Sequence, residues 1–126
     1  MSRGFNFTPD EDSKMLLTDQ FFTQAILTIA RGDAIEGDSF PGARELSADY
    51  EVAYGTAAKV LSMLKADKYV KTKHGIGITV NVQKEPERAF RELKEILAIE
   101  LAKCKLKGVK LKDIQDTVGE IWEQYQ

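Results

Sequence analysis

The sequence has little of the residues on which most enzymes and secreted proteins depend. Its 126 residues include a single cysteine, Cys104, which excludes an intramolecular disulfide framework and favours a reducing compartment. They include a single histidine, His74, and show neither the spacing of a metal site nor a glycine-rich phosphate loop. We therefore expect a protein that is not an enzyme, with no catalytic residues, no bound metal and no cofactor.

Long apolar runs are also absent. No stretch approaches the roughly 18 apolar residues that a membrane helix needs. The first residues, MSRGFNFTPDEDSK, lack the apolar centre of a signal peptide. These absences favour a cytoplasmic protein with no membrane partner. Cys104 lies on an apolar helix stripe and is expected to be a buried structural thiol.

The formal net charge is only −2, but the charges are unevenly distributed. Residues 1–58 hold ten acids and four bases, whereas residues 59–74 hold five lysines and one acid. Residues 84–126 hold nine of each sign. The basic segment favours an anion-binding face in an otherwise acidic chain. The alternative is a solvated, lysine-rich hairpin with no ligand.

The hydrophobic pattern predicts a mainly α fold with one small β-hairpin. Helical periodicity and helix-stop signals recur along the chain, and Thr18 is placed to cap the first helix. The predicted helices span about residues 18–31, 43–50, 54–67, 86–107 and 111–125. Between the first two, the glycine-rich segment 32–42 is expected to run over the surface.

The segment 44–64 has the pattern of a helix-turn-helix. The second helix carries Ala57, Val60, Leu61 and Leu64 at i, i+3, i+4 and i+7, which places them on one buried face. The opposite face carries small or basic groups suited to phosphates and base edges. These are Thr56, Lys59 and Ser62.

After the second motif helix, two segments rich in β-branched residues, 69–73 and 76–82, predict a hairpin. Its turn at His74-Gly75 makes it a wing beside the helix-turn-helix. An alternative is that Ile76 and Gly77 also belong to the turn, because glycine is a poor residue within a strand.

These elements divide the chain into an N-terminal arm (1–17), a winged helix-turn-helix (18–83) and a two-helix region (84–126). Met15, Leu16 and Leu17 are candidates for docking the arm on the body. The last two helices are amphipathic, and a second copy would cover them more readily than the small winged domain. The expected dimer contacts are Phe90, Leu93, Leu97, Leu101, Leu111, Ile114, Val118, Ile121 and Trp122. A small-molecule effector between these helices is an alternative that the sequence does not support.

An ordered series of motifs carries a resemblance to a known family. The series runs Phe22-Thr23-Gln24, GDSFPGARELS (37–47), Val52, Thr56, Lys59, Leu64, then Gly75-Ile76-Gly77 and Val80. From residue 22 to 80 the chain resembles the DNA-binding domain of the GntR family of bacterial transcriptional regulators. The short region after the wing is similar to that of the small YtrA-type subgroup. The resemblance implies a transcriptional regulator that binds a double-stranded DNA operator. The uncovered stripes of the last two helices favour a homodimer, which would match a palindromic operator. Repression is expected because a dimer that occupies a promoter blocks the polymerase.

The resemblance assigns DNA contacts to Arg44, Thr56, Lys59 and the wing tip. Their positions and charge in this chain add the remaining members of the set. The expected DNA-binding residues are Arg44, Tyr54, Gly55, Thr56, Lys59, Lys71, Lys73, His74, Gly75 and Gly77.

This chain also departs from the family pattern. Ala53-Tyr54-Gly55 replaces a common Asn-Pro-Asn, Gly42 replaces a serine, and Lys68 replaces a glycine expected to need positive φ. The operator sequence therefore does not follow from relatives. An alternative function is a winged-helix protein-interaction module that has lost DNA binding.

Overall fold

The computed structural model describes residues 5–126 and confirms a mainly α fold with one antiparallel hairpin. The elements in chain order are α1 (Leu17–Ala30), α2 (Ala43–Tyr50), α3 (Tyr54–Ala66), β1 (Val70–Lys73), β2 (Gly77–Val80), α4 (Pro86–Leu106) and α5 (Leu111–Glu123). Contacts divide the chain between Gln83 and Lys84 into two compact units. Each unit is described separately below.

The core of the first unit is built from one apolar face of each of its elements. Its largest fully buried side chains are Phe21, Leu46, Leu64, Val60 and Val80. They come from α1, α2, α3 and β2, so the three helices and the hairpin share one hydrophobic cluster. The i, i+3, i+4, i+7 pattern of α3 is therefore the pattern of its buried face.

Residues of the predicted arm form part of this core. Phe5 and Phe7 are both only 4% exposed. Phe5 lies edge-on to Phe40, with ring centroids 4.6 Å apart, and the Phe7 ring centroid lies 5.0 Å from that of Phe21. Tyr50, the last residue of α2, donates a hydrogen bond from its hydroxyl to the Phe5 carbonyl at 3.2 Å. Residues 1–4 of the predicted arm lie outside the described residues.

Two glutamines of α1 satisfy the backbone of this N-terminal segment. Gln24 accepts from the Thr8 N–H at 2.8 Å and donates to the Thr8 carbonyl at 2.9 Å. Gln20 accepts from the Asp10 N–H and donates to the Asp10 and Met15 carbonyls. These pairings satisfy backbone groups of Thr8, Asp10 and Met15 where an irregular segment lies against a helix.

The structure corrects two expectations at the start of α1. Met15 and Leu16, expected to dock the arm, are 48% and 66% exposed, whereas Leu17 does pack against the core. Thr18 is not the N-cap, because the helix begins at Leu17, with Leu16 in the capping position and no side-chain cap. The Gln20 amide donates to the Met15 carbonyl at 2.9 Å and so fixes the chain just before α1.

The segment before α2, expected to run over the surface, pairs with the hairpin. Ser39 forms a β-bridge with Thr79, and the Gly37 and Phe40 N–H groups donate to the Val80 and Ile78 carbonyls, both at 2.8 Å. Residues 37–40 therefore lie along the edge of β2. We call this stretch the edge segment; it fixes where α2 begins relative to the hairpin.

The hairpin turn contains three residues, not two. β1 pairs with β2 from Val70↔Val80 to Lys73↔Gly77, which leaves 74–76 in the turn. Ile76 thus lies in the turn, as the alternative proposed, while Gly77 opens the strand. Gly75 and Gly77 have φ of +78° and +112°, a conformation that explains glycine at both positions.

The second unit consists of α4, a turn and α5. None of its residues is buried, and the two helices do not pack along their lengths. Near the turn they border an apolar groove of about 730 Å³, lined by Ala98, Leu101, Ala102, Lys105, Gly108, Val109, Lys110, Leu111 and Ile114. Within residues 5–126, no helix combines the length and apolarity needed to cross a membrane.

Candidate nucleic-acid interface

The turn between α2 and α3 sets the geometry of the candidate interface. Glu51 ends α2 in the left-handed region, at φ +53° and ψ +42°. The Ser47 hydroxyl donates to the Val52 carbonyl at 2.6 Å and closes the turn. Val52 is 8% exposed and belongs to the core, so the turn is anchored from within. α3 therefore leaves the turn with a defined orientation.

α3 presents one of its faces to solvent. Its buried face consists of Ala57, Val60, Leu61 and Leu64. On the opposite side, Lys59 and Ser62 are exposed. Tyr54, the first residue of the helix, is 58% exposed, and Thr56, at the edge of the solvent face, is half-buried. The solvent face offers hydroxyl, ammonium and phenol groups, which suit contacts to phosphates and base edges.

Both motif helices begin without a side-chain cap. Gly42 is the N-cap of α2 and Ala53 that of α3, and neither makes a capping hydrogen bond. The first N–H groups of each helix therefore lack a side-chain acceptor within the chain. Arg44 is exposed in the first turn of α2 and Tyr54 begins α3. Backbone donors and side-chain donors occur together at these two helix starts, an arrangement that suits an anion.

Gly55 has no packing reason to be glycine. It is exposed in the first turn of α3, its φ is not positive, and a Cβ there would meet nothing within 4 Å. Alanine would favour the helix by roughly 0.5–1 kcal/mol. The absent side chain leaves backbone open to close approach from outside.

The wing presents two lysines and a histidine at and beside its tip. Lys71, Lys73 and His74 are all exposed, and Ile76 is 64% exposed. The register places Lys73 opposite Gly77 at the last pair of the hairpin. Gly75 lies within the same turn, so all five predicted wing residues lie in or next to this one hairpin.

A small groove of about 370 Å³ lies between the start of α2 and the wing tip. Its lining consists of Ser39, Phe40, Gly42, Glu45, Ile76, Gly77 and Ile78. The sequence interpretation did not assign a role to Ser39 or Glu45. Their proximity to the wing comes from the edge segment, for which no local sequence signal exists.

Four cations of this surface form no ion pair within the described residues. Within residues 5–126, Arg44, Lys59, Lys71 and Lys73 form no ion pair with an acid. Their charge is therefore not neutralised by the chain. Lys68, just after α3, adopts φ +62°, a left-handed conformation that costs a lysine more than a glycine.

The residues predicted for dimerisation lie on α4 and α5. Leu97 and Ile114 are half-buried, and the others are exposed, with Trp122 the most exposed at 74%. Cys104 is half-buried in the single chain, not buried as expected, because the helices around it do not pack along their lengths. Among residues 5–126, no group of three or more His, Cys, Asp or Glu side chains is arranged to hold a metal ion.

Residues 26–80 match the family described as "Bacterial regulatory proteins, gntR family". The matched segment starts within α1 and ends with β2, so it contains both motif helices and the whole wing. It covers just under half of the chain. No curated protein sequence matches.

Solved structures are similar over nearly the whole chain. A transcriptional antiterminator from Listeria monocytogenes EGD-e has a TM-score of 0.82 at 20% identity, covering 94% of this chain and 90% of that one. YtrA from Sulfolobus acidocaldarius, a GntR-family transcription factor, has a TM-score of 0.59 at 25% identity, covering 90% and 97%. A transcriptional regulator from Oenococcus oeni has a TM-score of 0.63 at 22% identity, covering 90% and 96%. The fold is therefore the winged helix-turn-helix of GntR-type regulators with a two-helix extension.

Proposed function

We propose that the protein is a GntR-type transcriptional regulator of the small YtrA-like kind, which binds a double-stranded DNA operator in the cytoplasm. The observation that carries this proposal is the solvent face of α3 together with the start of α2. Both present unpaired donors and cations on a fold that matches regulators of this kind.

In this proposal α3 enters the major groove. Lys59 and Thr56 lie on the face that would meet base edges and phosphates, and Tyr54 projects at the leading end of the helix. Gly55 permits the backbone of α3 to approach the DNA closely. Arg44, at the uncapped start of α2, grips a phosphate with its guanidinium.

The wing supplies contacts beside the groove that α3 occupies. Lys71, Lys73 and His74 are exposed along one short hairpin, and the glycines at 75 and 77 keep its tip narrow. The two lysines would add affinity that is independent of sequence and sensitive to salt. Base selectivity would come from α3, where Ala53-Tyr54-Gly55 sets contacts that differ from those of relatives.

We further propose that the protein acts as a homodimer through α4 and α5. Their predicted contact residues form apolar stripes that the second unit leaves largely exposed. A large exposed apolar surface on a stable protein is characteristic of an interaction site. A two-fold dimer would present two α3 helices to a palindromic operator, with half-sites about one helical turn apart. Occupancy of a promoter by such a dimer would repress transcription.

The test begins with selection of bound duplexes from a random-sequence pool, since the operator is unknown. We expect one enriched palindromic sequence and an affinity that falls steeply with salt concentration. Arg44→Ala and Lys59→Ala should each bind the selected duplex more weakly, whereas Lys14→Ala, which removes the same charge outside the interface, should bind as tightly as the wild type. If Arg44→Ala and Lys59→Ala both retain wild-type affinity, this surface is not the DNA-binding face.

A further inference from the structure

The second unit has equal numbers of acids and bases, but five of its lysines are concentrated in one short stretch. Between residues 101 and 112 the chain has five lysines and no acid, and all five lysines are exposed. The lysines are Lys103, Lys105, Lys107, Lys110 and Lys112. Residues 113–123 then hold four acids and no base. We call the stretch 103–112 the basic turn.

Local ion pairing leaves most of this charge uncompensated. Lys103 pairs with Glu100 at 3.2 Å. In the part of the chain that the structure describes, Lys105, Lys107, Lys110 and Lys112 have no acidic partner. Four positive charges therefore lie within eight residues and face solvent, which produces a strong local potential.

The helix dipole explains why some of these lysines are favourable where they are, but not all of them. Lys103 and Lys105 lie in the last turn of α4, where cations are favourable. Lys110 is the N-cap of α5 and Lys112 lies in its first turn, where the helix dipole disfavours a cation. Asp113 is the only acid in that turn. Lys110 and Lys112 thus oppose the stability of their own helix, and a polyanionic ligand would offset that effect.

We propose that the basic turn is a second phosphate-contacting surface for duplex DNA, separate from α3 and the wing. The proposal rests on the proposed DNA-binding function and adds a site in the C-terminal unit. Its lysines are flexible point charges without planar hydrogen-bonding groups, so they would neutralise backbone phosphates and not discriminate bases. The basic turn would therefore raise affinity for every sequence to a similar degree.

The experiment compares the salt dependence of two variants with the same change in net charge. One carries Lys107→Gln, Lys110→Gln and Lys112→Gln. The control carries Lys84→Gln, Arg91→Gln and Lys94→Gln in a part of the same unit where bases alternate with acids. Binding of each full-length protein to a long duplex of arbitrary sequence is measured by fluorescence anisotropy between about 50 and 200 mM salt.

We expect log affinity to fall less steeply with log salt for the basic-turn variant, because its slope becomes less negative by about 0.9 for each phosphate that its lysines no longer neutralise. The control variant should show little change. Replacing the same three lysines with arginine should preserve the wild-type slope. An unchanged slope, or an equal fall in both glutamine variants, overturns the proposal. Circular dichroism and sedimentation establish that both variants retain the wild-type fold and mass, and a change in either for the basic-turn variant alone would mean a structural role, contrary to the proposal.

The outcome also separates this proposal from the DNA-binding function on which it rests. If Lys59→Gln weakens binding but the basic-turn variant does not, α3 binds DNA and the basic turn does not. A wild-type protein that binds no duplex at any salt concentration refutes the proposed function itself.

Discussion

Gly55 offers the sharpest test, because one methyl group should change stability and DNA binding in opposite directions. Gly55→Ala adds a side chain at an exposed helical position where a Cβ meets nothing within 4 Å. Alanine should stabilise α3 by about 0.5–1 kcal/mol. For a unit of this size, that corresponds to a rise of roughly 2–8 °C in the melting temperature.

The same methyl group should weaken DNA binding. If the backbone at Gly55 approaches a base or sugar closely, the methyl holds α3 away from the groove. Removal of one well-formed interaction with a base costs about 1–3 kcal/mol, or roughly 5- to 150-fold in affinity. Thermal unfolding followed by circular dichroism measures the first effect, and anisotropy with the selected duplex measures the second.

The control for Gly55 is Gly119→Ala. Gly119 is also an exposed helical glycine, in α5, where a Cβ would meet nothing within 4 Å. Its substitution should stabilise the protein without loss of DNA affinity at concentrations where the oligomer is intact. If Gly55→Ala binds the duplex as tightly as the wild type, no DNA lies close to Gly55. If it lowers the melting temperature, the structural account of α3 is wrong.

Three further predictions concern the rest of the molecule. Phe7→Ala should lower the free energy of unfolding by about 3–5 kcal/mol in denaturant titrations, because Phe7 is buried, whereas Met15→Ala, nearby and half exposed, should change it little. Glu51→Gly should raise the melting temperature, because glycine adopts the left-handed conformation at Glu51 without strain and because the change removes an acid from a helix C-terminus. The expected gain in the free energy of unfolding is about 1 kcal/mol. Glu45→Gly, inside the same helix, should lower the melting temperature. A Glu51→Gly variant that melts below Glu45→Gly would contradict the reasoning. Ile121→Glu should dissociate the proposed dimer, and an unchanged mass in sedimentation would remove α5 from the interface.

The elements with a strong local signal were predictable from the sequence. α2 was expected over Ala43–Tyr50 and has those bounds, and α4 begins at Pro86, which suits a first helical turn. The buried face of α3 follows directly from its periodicity. The left-handed conformation of Lys68, at φ +62°, carries no signal in its own side chain.

The features that were missed depend on contacts between distant residues. Phe5 and Phe7 belong to a segment too short to show periodicity, and their partners Phe40 and Phe21 lie at least fourteen residues away in the chain. The pairing of the edge segment with β2 likewise joins Ser39 to Thr79. For the candidate site, periodicity predicts which α3 residues are exposed. It does not reveal the groove beside Glu45, because that groove exists only once the edge segment and the wing are side by side.

The edge segment has a consequence for how DNA contacts combine. It ties the start of α2 to β2 through backbone hydrogen bonds at 2.8 Å, so Arg44 and the wing tip belong to one preorganised body. In the proposed function, once one of them met a phosphate the other would already be held close to the DNA, and its binding would become an intramolecular event with a high effective concentration. The two contacts would then act as a chelate, and loosening the edge segment would reduce affinity without removing any group that touches DNA.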